Sequence, residues 1–210
     1  MGKKTARKRG FLEQHPFCCF CGGSSLAVEP DHIPSRVFFE NRQWPEGFQF
    51  PACVRCNRAT RHDEQIVAML SWIYPDPETE LGKAAVQERI RAVHYNYPAV
   101  IQELRPTARQ LRNAVKDYNL QKTPGQSVSE LPVLSVRGPL INDAVEKFSN
   151  KLFCALYYKH AGRILPSTGG IAIRWWSNIQ IENDEIPTSI LPAIPDIPTL
   201  QRANTTLNDQ

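Results

Sequence analysis

Cys18-x-x-Cys21 and Cys53-x-x-Cys56 are two thiol pairs about thirty residues apart, the spacing of a tetrahedral zinc site. Four thiolates close the coordination sphere, so such a zinc clamps the chain and leaves no position for a reacting water. Asp31 and His32 lie between the pairs, and Asn57 directly follows the last cysteine. These three residue types suit phosphodiester hydrolysis. An imidazole titrates near neutrality and can take a proton from water. A carboxylate and an amide carbonyl supply the hard oxygens that Mg2+ or Mn2+ takes, and such a cation neutralises charge building on phosphate and leaving oxygen. Neighbouring strand residues face opposite ways, so Asp31 can hold the cation while His32 addresses water.

Taken singly, Asp31 reads as a turn residue, His32 as a surface or packed histidine, and Asn57 as a helix-end residue. Their joint placement between and beside the thiol pairs points to chemistry. His62, Asp63 and Glu64 follow one to two turns later and are weaker candidates. Thr60-x-x-Asp63 also reads as a capping box, which favours a structural role for Asp63.

Cys-x-x-Cys, Asp-His and Cys-x-x-Cys-Asn, in this order, resemble the HNH endonuclease superfamily, especially the branch containing phage junction-resolving endonucleases. The resemblance covers roughly residues 15–75. It implies structural zinc on Cys18, Cys21, Cys53 and Cys56, His32 as general base, and Asp31 and Asn57 as ligands of the catalytic cation. It implies DNA as substrate, with 5′-phosphate and 3′-hydroxyl ends. It also allows a homodimer and a protein partner such as an ATPase subunit, in a phage or bacterial defence setting. Many members carry an Asn shortly before the second thiol pair. Here the stretch is Gly47-Phe48-Gln49-Phe50, with Gln49 as the available substitute. The rival reading is a non-catalytic zinc-stabilised module that binds nucleic acid or protein.

Charge distribution agrees with a polyphosphate partner. Residues 1–62 carry ten Lys/Arg and five Asp/Glu, whereas the remainder is close to neutral. Arg36, Arg42, Arg55, Arg58 and Arg61 flank the proposed site, and guanidinium forks match phosphate oxygens. Each of them alone is as readily a solvated basic side chain. Phe38, Phe39, Trp44 and Phe48 more readily pack the loop than stack on bases.

The elements must hold these groups together. The expectation is an α+β chain: an N-terminal ββα-metal, treble-clef-like zinc module followed by a mainly helical region with a small β element. Residues 1–10, with five basic residues and no acid, read as a disordered arm. Residues 11–75 are the nuclease module, with Gly22 and Gly23 turning the first thiol pair, Pro30 and Pro34 breaking short strands, and a helix running from near Cys53 to Pro75. Residues 76–120 read as a helical pair with a break at Pro106, and 121–130 as a polar linker. Residues 131–185 read as strand, helix and strand: Val133 to Val136, then Ile141, Val145, Phe148, Leu152 and Leu156 on one helical face, then Ile171, Ile173 and Trp175 in alternation, with Ile179 and Ile181 extending it. Residues 186–210 read as a Pro-rich tail.

Hydrophobic content of 41% supports a core beyond what zinc supplies. No run approaches the roughly eighteen apolar residues of a membrane span, and the basic N-terminus lacks the apolar segment of a secretory signal. Paired Cys-x-x-Cys spacing favours a reducing, cytoplasmic setting over disulfides. Cys19 and Cys154 are left over, and Cys154 reads as a buried thiol on an apolar stripe.

Overall fold

A computed structural model describes residues 3–39, 45–73, 79–131 and 133–176. The chain is α+β and mostly helical, with one two-stranded sheet among the described residues. In order come α1 (Lys3–Gln14), β1 (Glu29–His32), β2 (Gln49–Ala52), α2 (Val54–Ala59), α3 (Arg61–Ile73), α4 (Glu80–Asn96), α5 (Pro98–Glu103), α6 (Ala108–Asp117) and α7 (Pro139–Ala161). The described residues divide into two compact units. One combines those up to Trp72 with Ala144–Ile173, and the other centres on Ile73–Asp143.

β1 and β2 pair antiparallel, with Asp31 opposite Phe50 and His32 opposite Gln49. Pro30 was expected to break the first strand; instead it lies within β1, opposite Pro51. A two-stranded ribbon permits this, because a position outside the hydrogen-bonded pairs needs no N–H. Buried Phe50, Ile33, Phe48 and Cys19 form a core with Ala155 of α7, joined by half-buried Phe20, Leu152 and Leu156. Each large apolar side chain buried this way contributes about 1.5–3 kcal/mol. The second unit buries Val93, Val100, Leu104, Leu111 and Ile141.

Several expectations meet a different outcome. Residues 3–10 are not a disordered arm but most of α1. Lys, Arg and Ala are good helix formers, and His15 just beyond the helix end bonds Tyr158 Oη at 2.7 Å, which ties α1 to α7. Among the described residues of 76–120, α4 is followed by a second helical stretch divided into α5 and α6 at Pro106, where a break was expected. Thr107 opens α6 with a capping box to Gln110, so the chain restarts after Pro106. Val133 to Val136 and Ile171 to Trp175 are irregular, not strands. Ser135 N instead bonds Leu104 O at 2.8 Å, which uses a strand-like donor without a ladder. The apolar helix lies where its periodicity places it, as α7, and ends at Gly162 in the left-handed region (φ +66°). Ile179, Ile181 and the Pro-rich tail lie outside the described residues.

Candidate functional site

Local sequence builds the thiol cluster first. Gly22 and Gly23 have φ of +66° and +77°, a turn that side-chain-bearing residues rarely adopt. It lets Gly23 N reach Cys18 O and Ser24 N reach Cys21 O, both at 3.2 Å. Cys19 N bonds Pro51 O at 3.0 Å, which fixes this turn against β2. Cys53 caps α2, its sulfur accepting from Cys56 N at 3.4 Å. The four cysteine sulfurs consequently lie within 4.8 Å of one another.

Tetrahedral zinc with bonds of about 2.3 Å needs sulfurs roughly 3.8 Å apart, a spacing within the bound of this cluster. Its electrostatics ask for a cation. Burial works to raise Cys21, but hydrogen bonds from Ser24, Cys18 and Ser25 outweigh it and bring the thiol down to about 7. Cys18 and Cys56 are pushed up, chiefly by burial. Four adjacent thiols cannot all ionise by themselves, whereas a divalent ion stabilises every thiolate at once.

Asp31 and His32 leave β1 on opposite sides, as strand geometry requires. The Asp31 side chain is 12% exposed, and its Oδ2 lies 2.7 Å from Lys151 Nζ of α7. The same ammonium reaches Glu64 Oε1 of α3 at 2.9 Å, and Thr60 Oγ1 donates to that oxygen at 2.7 Å. Burial raises the Asp31 carboxyl, with Lys151 opposing the rise. Burial also works against the Lys151 ammonium, but Asp31 and Glu64 outweigh it, and its pKa is raised. The site thus holds a buried cation supplied by the chain.

His32 is half-buried. Gln49 Nε2 lies 3.1 Å from His32 Nε2, and Arg36 Nη2 lies 3.4 Å from it. Arg36 can only donate, so this contact is a hydrogen bond when Nε2 is the acceptor. Burial and then Arg36 lower the pKa of the ring. Gln49 therefore contacts His32 directly, from the facing position in the hairpin.

Comparison with protein-family models, with curated proteins and with solved structures finds no match to this chain.

The remaining predicted residues differ in burial. Asn57 is half-buried on α2, its backbone N–H bonded to Cys53 O at 3.0 Å. Arg36, Arg55, Arg58 and Arg61 are exposed, and Arg42 and Trp44 lie outside the described residues. Phe38 stacks on Phe148 of α7 with centroids 4.8 Å apart, so it packs the loop. His62 is exposed, while Glu64, one of the weaker candidates, is buried at the ion pair. The Thr60 hydroxyl donates to Glu64. Sequence reasoning missed Lys151. The available signal was a lysine between Phe148 and Ala155 on the stripe that α7 buries, where a charge must find partners.

Proposed function

We propose that this chain is a metal-dependent endonuclease of the HNH type that hydrolyses DNA phosphodiester bonds. His32 takes the proton from the attacking water. Asp31 and Asn57 are the oxygen donors for Mg2+ or Mn2+, which when bound supplies charge neutralisation at the phosphate and the leaving 3′ oxygen. The thiol cluster, holding zinc, pins α2 and the hairpin that carry these groups. The observation that carries this reading is the position of His32: its Nε2 lies 3.4 Å from the exposed Arg36 guanidinium. A phosphate drawn to Arg36 takes that guanidinium over and brings its attacking water to the imidazole, whose pKa burial and Arg36 lower.

A second reading has its own observation. The carboxylate assigned to the cation is buried and already neutralised by Lys151, an arrangement that also suits a non-catalytic, zinc-stabilised module binding nucleic acid or protein.

Plasmid cleavage with Mg2+ or Mn2+ separates the two. Under the nuclease reading the wild type nicks or linearises DNA, and His32→Ala loses about 10²–10⁴-fold in rate, the usual weight of a general base. Zinc content stays the same in the variant, because His32 is no zinc ligand. Equal cleavage by both proteins, or none by either across metals, would favour the binding module.

A further inference from the structure

α1 has a charge pattern that works against its own stability. Arg7, Lys8 and Arg9 are exposed, and Lys3 and Lys4 add two more positive charges by sequence. The first turn contains no acid and the last turn no base. The helix dipole favours the reverse arrangement, anions at the start and cations at the end. Crowded like charges on a helix also repel. Arg9 has Glu13 at 3.7 Å, but both side chains are more than 60% exposed and such a pair contributes little. The helix therefore relies on its anchors: it packs against β1, and His15 just past its end bonds Tyr158.

β1 carries Asp31 and His32, so the helix that bears these charges packs against the strand of the proposed active site. We infer that the exposed face of α1 is a backbone-binding surface for duplex DNA, seating phosphates on Arg7, Lys8 and Arg9 beside the hairpin. The inference rests on DNA being the substrate proposed above. A polyanion supplies the counter-charge that the helix lacks. An acidic bilayer fits less well. Phe11 and Leu12 are the only large apolar residues of α1 and both are partly buried, so the exposed face has no apolar stripe to insert. Contacts of this kind position a duplex without reading its sequence.

The test is anisotropy of a labelled duplex across a salt series, without added Mg2+ or Mn2+, comparing wild type with Arg7→Glu/Lys8→Glu. The two roles of these residues predict opposite signs. As a binding surface, the variant loses at least tenfold in affinity near 0.1 M salt, and its log K against log [salt] slope falls by about 0.9 for each lost phosphate contact. As a helix, it is no less stable, because each new acid stands at i,i+4 from Lys3 or Lys4, where a like charge stood. Unchanged affinity and slope would overturn the inference. So would binding lost only together with helicity by circular dichroism, or a wild type that prefers phosphatidylserine vesicles to duplex at equal phosphate. A wild type that binds but never cuts sinks the catalytic reading and leaves this one standing. Cutting with undiminished binding in the variant does the opposite.

Discussion

With Lys151 replaced by Met, Asp31 and Glu64 would face each other in the interior without a counter-ion. Breaking a buried pair in this way costs about 3–5 kcal/mol. Lys151→Met should lower the denaturation free energy by that order, and Asp31→Asn/Glu64→Gln/Lys151→Met should recover most of the loss, since no uncompensated charge remains. Denaturant titration of the three proteins checks this, and a triple variant no better than the single would show that the charges are not the cause. His32 carries a pH prediction. Its folded pKa lies below the ordinary value of about 6.5, so the ring contributes stability that is present above that pH. That contribution is lost as pH falls through the lower folded value. The difference in stability between wild type and His32→Ala should therefore shrink on acidification below about 6.5. Arg36→Ala, which removes one cause of the depression, should raise the lower edge of that window and so narrow it.

α7 begins under an unusual cap. Glu103 at the end of α5 accepts from Leu140 N at 3.1 Å and Ile141 N at 2.9 Å, which satisfies first-turn donors with a carboxylate. A Cβ on Gly138 would overlap that side chain. Gly138→Ala should push Glu103 aside and cost about 1–2 kcal/mol, the weight of a lost cap, and Glu103→Ala should cost a similar amount. The two effects should not add, because both remove one interaction. Gly22 is the second sensitive glycine. It combines φ of +66° with only 2.7 Å from an added Cβ to Ser167 N, so Gly22→Ala should weaken the turn that carries Cys21. The helices were legible where apolar residues recur at steps of three and four, as in α6 and α7. The proposed strands at 133–136 and 171–175 were not, because alternation over so few residues does not reveal whether a partner strand exists.

At the scale of the molecule, the thiol cluster and both cores make the two units unequal in their need for metal. Chelation at neutral pH should release one zinc per chain and open the unit that contains β1, β2 and α3. The helices α4 to α6 carry buried Val93, Val100, Leu104 and Leu111 and contribute no thiol, so their amides should stay protected longer in hydrogen exchange. Simultaneous loss of protection throughout would show one cooperative unit instead.

Much of the candidate site could be read from the chain itself. Thiol spacing, the Asp31-His32 pair and Asn57 are short-range patterns, and metal-ligand geometry admits few spacings, so local sequence suffices to define the cluster. Gln49 came from the family resemblance, and its contact with His32 follows from the strand pairing. Lys151 could not be found that way. It lies 87 residues beyond Glu64, and nothing local states which carboxylates its ammonium will meet. α1 was misread for a related reason: a run of like charges looks unfolded until the strand and the tyrosine that hold it are known. Ligand type and spacing are properties of neighbouring residues, whereas the pairing of a buried charge is decided only when distant elements pack, and that packing belongs to the tertiary structure.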